Sequence, residues 1–78
     1  MKLRKKEFGT ANCVGKNIER LRKERGISQK KFIELLQLAG LDINPTSYSK
    51  LEGQLRIATD KEIYTIAQVL GVDMASLF

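Results

Sequence analysis

Two short amphipathic helical patterns joined by a turn occupy residues 28–52, and this layout limits the fold more than any other feature of the sequence. The second pattern opens with Asn44 and Pro45. Asparagine is a favoured N-capping residue, and proline suits the first helical position because its missing N–H has no acceptor there. The apolar residues Tyr48 and Leu51 supply one buried stripe, and the other positions are mostly short and polar. We therefore interpret residues 45–52 as a helix that is packed on one side and exposed on the other.

Similar signals divide the rest of the chain into further short helices. Apolar residues at helical spacing predict a first helix within residues 12–25, capped by Asn12 and stopped by Gly26. The second helix begins after Ser28, carries apolar residues as far as Ala39 and ends at Gly40. Residues 41–43 hold two apolar side chains, which indicates a connection packed against the core.

The C-terminal third predicts two more helices. Thr59 and Glu62 have the spacing of a capping box, and the fourth helix that they open ends at Gly71. A last turn over residues 74–78 is expected to close the core with Leu77 and Phe78. No segment has the pattern of a strand. The predicted fold class is therefore all-α, a compact bundle of five helices.

Composition excludes several classes of protein. A domain of 78 residues buries only about 60% of the surface that its unfolded chain exposes, so a deep catalytic cavity is not expected. The chain has no histidine, and the single Cys13 has no partner for a disulfide or a zinc site. We expect Cys13 to be a reduced, small hydrophobic residue. For the protein as a whole we expect no metal, no cofactor and no enzymatic activity. No apolar run has membrane-spanning length, and the basic start lacks a signal-peptide core, which predicts a cytoplasmic protein.

Charge is distributed unevenly along the chain. Residues 1–31 contain eleven Lys or Arg against three acidic residues, whereas residues 32–78 contain three against six. A basic surface favours a polyanionic partner, since neutralising phosphates releases counterions. Charge alone is equally consistent with simple solubility. Residues 1–11 are predicted to be a basic, flexible tail, either disordered or an ordered arm, and residues 12–78 the folded domain.

Three stretches carry a resemblance to the phage-repressor and Cro-like helix-turn-helix family. Residues 14–29, with Arg-Gly-Ile-Ser-Gln at their end, resemble the opening of its domain. Ser49-Lys50-Leu51-Glu52-Gly53 is similar to the end of its recognition helix, and residues 63–78 resemble its last two helices. The resemblance implies a lambda-repressor-like DNA-binding domain. One departure is a surplus within residues 36–42, similar to a longer-turn variant of the family, which puts the angle between helices 2 and 3 in question.

The resemblance also implies roles for individual residues. The N-terminal half of helix 3 would enter the DNA major groove, which is wide enough to admit a helix. Short hydroxyl side chains allow close approach to the bases, and a lysine can donate to guanine or to a phosphate. Hydroxyl residues are also common in the first turn of a helix for local reasons. The residues expected to reach base edges or flanking phosphates are Thr46, Ser47, Ser49 and Lys50.

A second set is expected to hold the DNA backbone and the helix. Gln29 matches the family position whose side chain binds a phosphate, and its backbone N–H lies at the positive end of a helix. Further phosphate contacts are expected from Asn44, Lys16 and Arg56. Lys30 is a further candidate, and both Lys30 and Lys31 are equally consistent with a solvated face. Arg22 and Glu52 match an ion pair that orients the recognition helix. Tyr48 is expected to be buried under helix 3 with its hydroxyl at the edge, or else exposed and stacked on a sugar or thymine methyl.

These features predict a sequence-specific double-stranded DNA-binding transcriptional regulator, a small bacterial or phage-type repressor that binds as a homodimer. Its self-contact is expected at the C-terminal end or in the helix 4–5 region. The acidic balance of residues 32–78 leaves an alternative open. In that reading the same fold is a protein-interaction module, such as an antitoxin or a regulator whose main partner is a protein.

Overall fold

The computed structural model describes residues 9–78, which form four α-helices and one 3-10 turn and contain no strand. The all-α class predicted from sequence is confirmed, but the fifth predicted helix is a single 3-10 turn. Most of the basic tail predicted at residues 1–11 lies outside the described residues. The elements in chain order are α1 Gly15–Glu24, α2 Gln29–Leu38, α3 Pro45–Glu52, α4 Asp60–Leu70 and the 3-10 turn Met74–Leu77.

The helix starts follow their local capping signals. Ser28 caps α2 and Asn44 caps α3, each through a side-chain oxygen that accepts a backbone N–H from the first turn. Thr59 opens α4 with both bonds of a capping box in place. The start of α1 differs from the prediction, because Val14 occupies its N-cap position. Asn12 lies two residues earlier, and its Oδ1 still accepts hydrogen bonds of 3.0 Å from the N–H groups of Val14 and Gly15.

The turn between α2 and α3 is held by several hydrogen bonds. Gly40 adopts a left-handed conformation with φ of 98°, which allows the Leu41 N–H to reach back 3.0 Å to the Leu36 carbonyl. The Gln37 side chain donates to the Ile43 carbonyl at 2.8 Å, and Ile43 itself is buried. The predicted packing of residues 41–43 against the core is confirmed.

One continuous hydrophobic core joins all five elements and the α2–α3 turn. Leu77 closes it from the 3-10 turn, with no exposed surface. The expectation that Phe78 closes the core was wrong, since Phe78 is 64% exposed. Ala39 and Cys13 are exposed as well. Ala39 lies at the end of α2 and Cys13 in the segment before α1. The buried apolar residues are Val14, Ile18, Leu21, Phe32, Ile33, Leu36, Ile43, Tyr48, Leu51, Ile66, Ala67, Leu70 and Leu77.

The segment before α1 is bound to the loop that follows α3. The Gly9 N–H donates to the Gly53 carbonyl at 2.9 Å, and the Ala11 N–H donates to the Gln54 carbonyl at 3.0 Å. The boundary predicted between residues 11 and 12 therefore falls within a bonded segment. Within residues 9–78, no helix is both long enough and apolar enough to cross a bilayer.

Candidate functional site

Helix α3 has one fully buried face and one polar face. Tyr48, Leu51 and Glu52 are spaced three and four residues apart and are at most 2% exposed. Three of the four predicted base-contact residues are exposed and Ser47 is half-buried at the boundary between the faces. The burial of Tyr48 excludes the alternative in which its ring stacks on DNA. The exposed set is Thr46, Ser49 and Lys50.

The Glu52 carboxylate holds α3 to two other helices. Arg22 in α1 donates to it from Nε at 2.9 Å and from Nη2 at 3.1 Å, and both side chains are buried. Gln29 in α2 donates to Oε1 at 2.8 Å, and the Tyr48 hydroxyl donates to Oε2 at 2.5 Å. The third Arg22 bond goes to the Ile27 carbonyl at 2.6 Å. Four donors thus satisfy one buried carboxylate, which is the condition under which a buried charge is tolerated.

The electrostatics of this cluster favour the charged pair. Burial alone would raise the pKa of Glu52, but hydrogen bonds from Arg22, Tyr48 and Gln29 and the Arg22 charge outweigh it and hold the pKa below its ordinary value. Burial opposes charge on Arg22 too, yet Glu52 raises the Arg22 pKa. Burial and the adjacent carboxylate raise the pKa of Tyr48, so its hydroxyl stays a donor. Arg22 and Glu52 therefore remain ionised throughout the neutral range.

Gln29 connects this buried cluster to the polar face of α3. Its Nε2 donates to Glu52, and its Oε1 accepts from the Ser49 hydroxyl at 3.2 Å. The amide is therefore oriented from both ends, with one Nε2 hydrogen left for another acceptor. Sequence reasoning assigned Gln29 to a phosphate and did not predict its bond to Glu52. The 23 residues between these two side chains leave no local pattern by which it could have been found.

Arg56 is bonded mainly within the protein. Its Nε donates to the Ser47 carbonyl in α3 at 3.0 Å, and its Nη atoms donate to the Glu62 carboxylate in α4 at 3.0 and 2.8 Å. Nη1 also donates to the Ile57 carbonyl at 2.8 Å. Four of the five guanidinium hydrogens are used within the protein, which leaves one for the phosphate contact that the sequence predicted. The Arg56 bond and the Thr59 N–H help to lower the pKa of Glu62, against the effect of its burial.

The remaining predicted contacts surround the polar face of α3. Asn44, the N-cap residue of α3, is exposed, and its Oδ1 accepts a hydrogen bond from the Ser47 N–H at 2.7 Å. Lys30 is exposed in the first turn of α2, where the N–H groups of Gln29 and Lys30 have no acceptor within the helix. Lys16 is exposed at the start of α1, next to Gly15, which meets the backbone at the end of α3. Helix-terminal N–H groups beside ammonium groups suit anionic oxygens.

Comparisons with known proteins agree with this geometry. A helix-turn-helix family model matches residues 18–77, which include all four α-helices except the first three residues of α1. No curated protein and no solved structure matches the chain at a significant level. The family is characterised by DNA-binding transcription regulators and is not typically enzymatic. The chain belongs to the helix-turn-helix family of Cro/lambda-repressor-like proteins.

Proposed function

We propose that this protein is a small cytoplasmic repressor that binds a specific double-stranded DNA site as a homodimer, with α3 in the major groove. The observation that carries the proposal is the polar face of α3, whose opposite face is immobilised by the buried Glu52 cluster. A helix that contacts base edges has to be held rigidly where it packs on the protein, and its side chains that face the groove have to be accessible. Thr46, Ser49 and Lys50 meet the second requirement.

Phosphate contacts would fix the register of the domain on DNA. The first turn of α2 offers two backbone N–H groups, the remaining Gln29 amide hydrogen and the Lys30 ammonium to one side of α3. Lys16 and the exposed Asn44 amide would contact the backbone elsewhere around α3. Contacts of this kind supply affinity without sequence information, whereas the α3 side chains supply specificity.

Salt dependence separates this function from a protein-interaction module of the same fold. We expect binding to random duplex DNA to weaken as salt rises, with a log–log slope of about −4 to −5 if about five phosphates are neutralised. Titration of labelled duplex at 50, 100 and 200 mM salt measures the slope. A slope near zero would contradict the proposal and favour a protein partner. Selection from a random duplex pool would then identify the preferred site.

Lys50→Ala is expected to weaken binding to the selected duplex by about tenfold more than binding to random duplex, the effect of losing one base-edge contact. Lys61→Ala removes the same charge from an exposed position on α4 and serves as the matched control. Equal weakening on both duplexes, with a salt slope lower by about 1, would instead assign Lys50 to a phosphate. Fluorescence anisotropy with both duplexes measures the ratio.

The homodimer would form through apolar side chains near the C-terminal end. Met74 is 41% exposed, Phe78 64% and Tyr64 53%, so three large side chains remain accessible there. Sedimentation with and without a duplex carrying two half-sites tests this part of the proposal. We expect weak self-association that strengthens on DNA, and a strictly 1:1 complex on that duplex would contradict it.

A further inference from the structure

The end of α3 contains an unusual backbone conformation. Each of the four α-helices ends in a turn in which a left-handed residue lets the next N–H reach back five residues. Glycine is the left-handed residue after α1, α2 and α4, at Gly26, Gly40 and Gly71. After α3 it is Gln54, with φ of 60°, the single non-glycine residue of positive φ within residues 9–78. A non-glycine residue with this backbone conformation is strained, so an interaction outside the turn is expected to compensate for the strain.

The Gln54 side chain makes such compensating interactions, because it is hydrogen-bonded to the segment before α1. Its Nε2 donates to the Asn12 carbonyl and, at 3.4 Å, to the Gly9 carbonyl. The backbone of the same two segments is joined by the Gly9–Gly53 and Ala11–Gln54 hydrogen bonds. A glycine at position 54 would form the turn without strain but would lose both side-chain bonds.

Asn12 completes the connection from the other side. Its Nδ2 donates to the Leu51 carbonyl at 3.0 Å and to the Arg56 carbonyl at 2.9 Å. Its Oδ1 accepts from the Val14 and Gly15 N–H groups at the start of α1, so the amide makes all four hydrogen bonds available to it. One side chain therefore joins the last turn of α3, the loop after it and the first turn of α1.

We infer that Asn12 and Gln54 form a clamp that sets the pose of the recognition helix, and that they determine specificity without touching DNA. The Glu52 cluster holds the end of α3 to α1 and α2 through side chains on its buried face. The clamp adds bonds to the backbone, from Asn12 to the Leu51 carbonyl and from Gln54 to the segment before α1, and these further restrict the rotation and tilt of α3 relative to α1. The inference rests on the proposed DNA-binding function and assigns two positioning residues to it.

The variant Gln54→Gly tests this inference. If Gln54 serves only to form the turn, the affinity ratio for selected and random duplex should not change, whereas a positioning role predicts that it falls. The substitution keeps the left-handed turn and relieves its strain, so we expect thermal stability to be retained or increased. We expect the ratio of affinities for selected and random duplex to fall by about tenfold, as one base-edge contact is misaligned. Lys61→Ala, which truncates an exposed side chain on α4, should leave both quantities unchanged.

Asn12→Asp tests the other half of the clamp. It keeps the oxygen that accepts from α1 and replaces the amide that donates to Leu51 and Arg56, so the same ratio should fall. The added negative charge weakens binding to both duplexes together and cancels in the ratio. A wild-type ratio in Gln54→Gly would overturn the clamp while leaving the proposed function intact. A wild-type protein without preference for any duplex would overturn both.

Discussion

Glu52→Ala is expected to lower the free energy of unfolding by about 3–5 kcal/mol, because it leaves the Arg22 charge buried without its partner. The Tyr48 hydroxyl and the Gln29 amide lose an acceptor in the same step. A domain of 78 residues has a total stability of roughly 4–12 kcal/mol, so this loss is a large fraction of the whole. Urea unfolding followed by circular dichroism measures it.

The chain provides matched controls for this prediction. Arg20 and Glu24 form an exposed pair of the same residue types at 3.1 Å, and Glu24→Ala should cost only about 0.3–0.5 kcal/mol. Adding Arg22→Met to Glu52→Ala removes the unpaired charge and should restore part of the stability. If Glu52→Ala alone does not fold, Glu52→Gln gives a milder measurement of the same loss. Thermal unfolding of Glu52→Ala at the wild-type temperature would count against the bridge.

Acid stability follows from the lowered pKa of Glu52. Its folded-state pKa lies below the ordinary value of 4.5, so the unfolded chain binds the proton more strongly. The contribution to stability is complete above that ordinary value and is lost as pH falls through the folded pKa. Glu62 acts in the same direction. We expect the wild type to lose stability below about pH 4.5, and Glu52→Gln to lose it less steeply; parallel curves would argue against this origin.

Gly15→Ala is the second substitution with a large expected effect. A Cβ at this first residue of α1 would stand 2.7 Å from the Leu51 carbonyl oxygen and 2.8 Å from the Glu52 carbonyl carbon. Both are backbone atoms at the end of α3 and cannot rotate away. Helix propensity favours alanine by about 1 kcal/mol, but overpacking of this kind costs about 1–3 kcal/mol or more, so the clash should prevail.

Two measurements check the Gly15 prediction. Chemical unfolding should show a net loss of stability, while Glu34→Ala, at an exposed position of α2, should change stability by no more than about 0.5 kcal/mol. The selected-to-random affinity ratio should fall too, because relief of the clash moves α3 relative to α1. A variant as stable as the wild type would show that the contact between these helix ends is looser than the distances indicate.

The helix boundaries that were predicted from the sequence depend on local signals. Ser28, Asn44 and the Thr59–Glu62 pair each act within four residues of chain, so the starts of α2, α3 and α4 can be predicted without knowledge of their neighbours. The glycine at each predicted stop acts just as locally. Phe78 was predicted wrongly because an aromatic side chain suits a core, whereas the assembled helices leave it 64% exposed. Burial is a property of the assembled helices.

Some features of the candidate site were likewise predictable from local pattern, and others depend on tertiary packing. The polar face of α3 was predictable, since residues three and four apart share a face whatever the helix packs against. The partners of Glu52 were not predictable from local pattern, because Arg22 is 30 residues away and Gln29 is 23. Arg22 was suggested by family resemblance alone, and the Gln54 bonds to residues 9 and 12 had no sequence signal at all.

The sequence by itself thus determined four helices, their order, most of their ends and the polar face of α3, because each depends on interactions within one or two helical turns. Tertiary structure alone decided how α3 is held, through a fully bonded carboxylate at Glu52 and the Asn12–Gln54 clamp. Apart from the bond between Tyr48 and Glu52, those bonds join segments 23 to 45 residues apart. Hydrogen bonds are short and directional, so they exist only once packing has brought the segments together.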